Sequence, residues 1–113
     1  TVMVRNHFYR LVELFAFERE EQLDAMTEHL EDAPDWPALL DDYFDEYDDL
    51  DTGQASRGKE YFLLTDSDRQ WQVRQILKDP EGDNSFSFVG TVDLDASDEA
   101  GEVRLSELRI EQS

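Results

Sequence analysis

Apolar side chains recur at steps of three and four through the first part of the chain. Val4, Phe8, Leu11, Val12 and Phe15 fall on one face of an α-helix. Leu14 and Phe17 widen that stripe, so the helix is expected to be buried on more than one side. A second helix is predicted over about Glu20 to Leu30, turning Leu23, Met26 and Leu30 inward. Ala33-Pro34-Asp35 interrupts the pattern, because proline lacks an N–H and restricts the residue before it. Asp35 stands where an N-cap belongs, directly before Trp36-Pro37. Its carboxylate suits the free N–H groups and the positive dipole end of a third helix running to about Asp49. Trp36, Leu40, Tyr43, Phe44, Tyr47 and Leu50 form the inner stripe of that helix, and Asp41, Asp42, Asp45, Glu46, Asp48 and Asp49 cover the rest. Acids in the last turn oppose the dipole, so this end is expected to fray.

Thr52-Gly53-Gln54-Ala55-Ser56-Arg57-Gly58 reads as a loop, and beyond it the period becomes two. Strands are predicted over Glu60 to Thr65, Arg69 to Lys78, Ser85 to Leu94 and Glu102 to Ile110. The connectors Asp66-Ser67-Asp68, Asp79 to Asn84 and Asp95 to Gly101 are short and rich in turn residues, which favours an antiparallel meander. Phe86, Phe88, Val92 and Leu94 share one face of the third strand, with Gly90 between them as the expected point of a bulge or strong curvature. In the last strand Val103 and Leu105 have one parity and Leu108 and Ile110 the other, which calls for a bulge near Ser106 or Glu107. The fold class is therefore α+β: about three N-terminal helices packed on a four-stranded, curved antiparallel sheet. A cone-like arrangement, similar to nuclear-transport-factor-type folds, is one form such a sheet takes. The 113 residues are expected to make a single domain, with a helical part over 1–51, a loop over 52–59 and a β-meander over 60–111.

Charge changes the picture of the surface. Fourteen Asp and Glu lie between residues 20 and 56, a window without lysine or arginine, and the whole chain carries a net charge of −19. Such a surface repels phosphate backbones and anionic headgroups, which argues against direct binding of nucleic acid or membrane. Seven Phe, four Tyr and two Trp separate the chain from a disordered acidic tail. The absence of cysteine excludes disulfides, thiolate metal sites and a Cys nucleophile. Leu14-Phe15-Ala16-Phe17 is the longest apolar run, far short of a membrane span, so a cytoplasmic location is the expectation. An opening on Thr1 is expected of either a trimmed start or a piece of a longer polypeptide.

The motifs of catalysis and metal binding fail on inspection. A calcium loop begun at Asp49 puts Gly53 at its fifth position and Gln54 where the sharp turn needs glycine. One begun at Asp93 puts Arg104 where the closing glutamate belongs. His7 and His29 have no His or acid four residues on, and they read as ordinary helix-surface or helix-packing residues. No GxSxG elbow or phosphate loop occurs, and Asp98-Glu99-Ala100-Gly101 reads as a turn, not as an ATPase acid box. The second strand is the notable one. Trp71, Gln72 and Arg74 make a candidate interaction patch, since Trp and Arg concentrate at binding hot spots. The plainer reading is a core tryptophan with an arginine bridging nearby acids.

Met3-Val4-Arg5-Asn6, with Phe8 and Leu11-Val12-Glu13-Leu14, resembles the start of a C-terminal domain of unknown function appended to a group of bacterial DEAD/DEAH-box helicases. The resemblance continues in Tyr43-Phe44-Asp45-Glu46-Tyr47, Gly53 and Arg57-Gly58. It is strongest in Trp71-Gln72-Val73-Arg74-Gln75-Ile76-Leu77-Lys78-Asp79-Pro80-Glu81-Gly82-Asp83, and it returns from Val92 to Gly101. It implies a non-catalytic accessory or regulatory domain that packs on the helicase core of the same polypeptide or on a partner. ATP and Mg would then belong to the parent's core, and nucleic acid would be reached only through the parent. No catalytic, cofactor-binding or metal-binding residue carries over to this chain. The competing reading is a free-standing acidic interaction domain that mimics nucleic-acid charge. A third class is a small-ligand enzyme with a sheet-lined pocket.

Overall fold

A computed structural model describes residues 2–112, apart from the side chains of Ala55 and Ser56. Thr1, on which the expectation of a longer polypeptide turns, lies outside the described residues. Three helices, α1 (Val2–Ala16), α2 (Glu20–Thr27) and α3 (Trp36–Glu46), precede an antiparallel sheet. Its strands are β1 (Phe62–Ser67), β2 (Gln70–Ile76), β3 (Phe86–Asp93) and β4 (Leu105–Gln112), in spatial order β1-β2-β3-β4. The fold is α+β and the sheet is open.

α1 lies on β3. Its predicted stripe Val4, Phe8, Leu11, Val12 and Phe15 is buried, together with Tyr9 and Leu14. Phe15 is the hub. Its ring meets Trp36 and Tyr43 of α3 edge-on at 6.1 and 5.7 Å between centroids, and Phe88 of β3 at 5.5 Å. Each such pair contributes about 0.5–1.5 kcal/mol beyond the area it buries. Two turns earlier Phe8 sits over Gly90. A methyl group on Gly90 would stand 2.9 Å from Phe8 Cζ, 3.2 Å from the Glu107 carbonyl and 3.3 Å from Leu108 Cδ1. Gly90 is thus not itself a bulge: it is the gap that lets α1 approach the sheet. The bulge lies one step away, where Thr91 pairs with Glu107 and Val92 with Leu105, so that Ser106 is skipped. That slip returns Leu105 and Leu108 to the same buried face, which is what their mismatched parity required.

The helix ends differ from the predicted ones for local reasons. α2 stops at Thr27, whose hydroxyl bonds the Leu23 carbonyl at 2.8 Å and accepts the Trp36 indole N–H at 3.1 Å. Asp35 caps α3 by accepting from the Ala38 N–H at 3.3 Å. α3 ends at Glu46, and Tyr47 turns extended so that its hydroxyl reaches Asp83 and Ser85. The following loop holds a 3-10 turn, Gln54–Arg57, and is tied to α1 twice. The Tyr9 hydroxyl donates to the Thr52 carbonyl, and the Arg57 guanidinium lies 3.8 Å from the centre of the Tyr9 ring. In the β2–β3 connection the buried Asp79 carboxylate accepts N–H groups from Glu81, Asp83 and Asn84 at 3.0, 3.0 and 2.7 Å.

The connector expected from Asp95 to Gly101 is instead a helix, α4 (Leu94–Ala100). Asp93 caps its start by accepting from Ala96 N at 3.0 Å, and Gly101 closes it at φ 72. Leu94, expected on the third strand, is therefore the first residue of a helix.

The close approach at Gly90 makes a direct prediction. Gly90→Ala should destabilise the protein by about 1–3 kcal/mol, the usual cost of overpacking a filled core. Denaturant unfolding of the variant against wild type is the check, and an unchanged midpoint would mean that α1 does not press on the sheet there.

Candidate functional site

The period of two along a strand decides what the candidate patch becomes. Trp71 shares the inner face of β2 with Val73 and Gln75, while Gln72 and Arg74 are on the outer face. The structure therefore divides the three residues between two surfaces. On the outer face Arg74 Nη2 bonds Glu111 Oε1 at 2.7 Å, and Glu111 Oε2 takes Arg109 Nη2 at 2.8 Å. Arg109 also reaches Glu107 at 3.3 Å. This row lies across β3 and buries its outward residues Ser87, Val89 and Thr91 under long side chains. Its arginines, Arg74 first, hold the Glu111 carboxyl below the usual glutamate range.

Trp71 is half-buried against the core and lines a cleft. The other walls are Met3 and Val4 of α1, Val92 of β3, Leu94 of α4 and Val103, enclosing ≈ 320 Å³. α4 is the wall that sequence reading missed, and Arg69 in the β1–β2 turn holds it in place. Arg69 adopts φ 61, a left-handed conformation, while its side chain bonds Asp95 Oδ1 at 3.0 Å and Asp98 Oδ2 at 2.9 Å. Its carbonyl accepts the Leu94 N–H at 3.1 Å. The far end is fastened by Ser97, whose hydroxyl donates to the Asp93 carbonyl at 2.7 Å and accepts the Arg104 N–H at 2.8 Å.

Beyond Met3, Glu102 and Val103 the groove widens into a second cleft of ≈ 630 Å³ between α1, α2 and the segment leading into β4. Both histidines line it, with Arg10, Arg104 and Met26. Neither histidine carried a functional signal on its own. A joint signal exists, though: α1 and α2 are joined by a tight turn in which Glu18 takes φ 54, and residues 7 and 29 are equidistant from it. The turn folds α2 back along α1, and His29, two residues past the end of α2, returns to the cleft that His7 lines. The His29 Nε2–H donates to the Leu105 carbonyl at 3.2 Å, which fixes its tautomer. His7 Nε2 is buried with no hydrogen-bond partner. Burial first, then the neighbouring His29, hold the His7 pKa below that of a free histidine.

Among the described residues no group of three or more His, Cys, Asp or Glu is arranged to hold a metal ion. Nor is any helix among them long and apolar enough to cross a membrane. The acids of α3 all face solvent, as the stripe predicts.

Residues 1–110 match the model of a family described as Domain of unknown function (DUF3516). The chain belongs to this family. The DUF3516 match spans α1 through most of β4, so every residue lining the groove, from Met3 to Leu105, lies within it. No curated protein and no solved structure matches the chain.

The buried imidazole gives this DUF3516 domain a pH signature. A histidine with a lowered folded-state pKa binds its proton in the unfolded state first. The stability it contributes is complete above the unfolded value, near 6.5, and is lost as the pH falls through the folded value. Resistance to thermal unfolding should therefore begin to fall as the pH drops below about 7.5, a loss that sets in above the range where carboxylates protonate. His7→Gln should flatten that dependence. Parallel curves for variant and wild type would remove His7 as its source.

Proposed function

We propose that this chain is a non-catalytic accessory domain of an ATP-dependent DEAD/DEAH-box helicase, and that it docks on the helicase core or on a partner through the Trp71 groove. The observation that carries the reading is an open apolar cleft on a strongly charged protein. Met3, on its wall, is 61% exposed on a chain of net charge −19, and its neighbour Val2 is exposed too. Exposed apolar groups beside a half-buried tryptophan are the ordinary signature of a protein-binding surface. The resemblance in Trp71 to Asp83 supports the helicase connection, and β2, which supplies the tryptophan, lies inside that stretch.

On this reading the domain does no chemistry of its own. ATP and Mg are bound by the parent's core, and nucleic acid is reached through the parent. The protein works in the cytoplasm, a reducing compartment that suits a chain without cysteine. A second reading, a free-standing acidic domain mimicking nucleic-acid charge, is favoured by one observation. Of the fourteen acids between residues 20 and 56, all but Asp51 are exposed. That surface offers one exposed aromatic, Phe17 beside Asp49 and Asp51, against the several apolar groups gathered in the Trp71 groove, so the docking reading is preferred.

Two measurements on the isolated protein test the division of labour. It should hydrolyse no ATP, because hydrolysis needs a phosphate cradle and a metal held against it. It should bind labelled single- and double-stranded RNA and DNA weakly at most, with binding abolished by moderate salt. It should also co-elute with a helicase core from which this domain has been deleted. ATP turnover by the isolated protein, or submicromolar nucleic-acid binding that survives salt, would contradict the proposal.

A further inference from the structure

We propose that the Trp71 groove takes a segment of a partner protein that carries one bulky apolar side chain flanked by lysine or arginine. The inference rests on the docking reading above and adds the chemistry of what docks.

The size of the groove sets the apolar part. At ≈ 320 Å³ it is at the lower end of the ~300–1,000 Å³ typical of small-molecule pockets, which suits an anchor side chain better than an extended ligand. Its surfaces are the indole of Trp71 and the aliphatic groups of Met3, Val4, Val92, Leu94 and Val103. Trp71 packs against the core, so the anchor meets a wall already in position and little ordering is needed on binding.

The rim sets the flanks. Among the described residues around this 320 Å³ part of the groove, the charged ones are Asp98 and Glu102. Asp95 and Glu99 stand exposed on the same short helix. Arg69 pairs with Asp95 and Asp98, and Arg104 with Glu102. Four acids against two arginines leave the rim net negative, on a chain that is itself strongly negative. A basic segment is drawn toward this rim, whereas an acidic peptide, a phosphate backbone or an anionic membrane is repelled.

The test is selection of random phage-displayed peptides on the protein, followed by fluorescence anisotropy with the selected peptides made synthetically. The expected winners carry an aromatic or large aliphatic residue with Lys or Arg on either side. Their affinity should fall about tenfold or more in Trp71→Ala, the size of a modest hot spot. Met3→Glu should lower it as much, and its exposed position leaves the fold intact, which the unfolding midpoint checks. Glu99→Lys with Glu102→Lys should weaken binding and remove its salt dependence. No enrichment, acid-flanked winners, or binding that survives both Met3→Glu and Trp71→Ala would overturn the inference. The helicase core separates the two levels of the argument. If it binds Met3→Glu as well as wild type, docking uses another face: this inference and the assignment of docking to the groove fall, while the accessory-domain reading stands. If it binds neither protein, the docking reading falls with it.

Discussion

The seat of α1 on β3 is the contact on which the rest of the molecule depends. Gly90 removes a side chain where Phe8 must enter, and two helical turns along, Phe15 joins α1 to α3 and the sheet through a single cluster of rings. α2 and α3 attach to that arrangement, α3 through Trp36 and Tyr43 against Phe15 and α2 through the Thr27 hydroxyl on the Trp36 indole. The groove is a consequence. Its α1 residues, Met3, Val4, His7 and Arg10, are set by the same helix that fills the core. A shift of α1 would open or close both clefts together.

Charge is distributed in a way that does not burden this arrangement. Acids without an ion pair among the described residues crowd α2, α3 and the loop between them, where water screens them. The sheet's outer face carries matched pairs instead, Arg74 and Arg109 with Glu107 and Glu111. Exposed pairs of this kind contribute about 0–1 kcal/mol each, so their importance is as a cover for β3 more than as a source of stability. The face opposite the helices thus has neither surplus charge nor an open apolar cleft, and the Trp71 groove stands out against both surfaces.

Much of the fold is legible in the residues because it rests on period. The α1 stripe, the Asp35 cap and the parity clash between Leu105 and Leu108 each state a geometric requirement that the structure meets, the last with the Ser106 bulge. α4 was hidden for a physical reason. Asp93, Ala96 and Gly101 are helix-capping and helix-forming residues, but a seven-residue element rich in Asp and Ser has the composition of a turn, and no apolar stripe distinguishes it. Gly90 shows a related limit. A glycine in a strand signals close approach or a bulge, and only the position of Phe8 selects between them. The site was less legible still. Trp71 was visible as an unusual residue, but its companions Gln72 and Arg74 belong to the other face. Its true neighbours come from α1, β3, α4 and the segment before β4, far apart in sequence. The pairing of His7 with His29 becomes readable only once the turn at Glu18 is known.

Hydrogen exchange of the protein, alone and mixed with the helicase core, tests the docking account most directly. Slowed exchange at residues 2–4, 69–73 and 94–104, with the acidic faces of α2 and α3 unchanged, is the result the account predicts. Protection confined to α2 and α3, with 94–104 exchanging as in the free protein, would contradict it and make the acidic surface the point of contact.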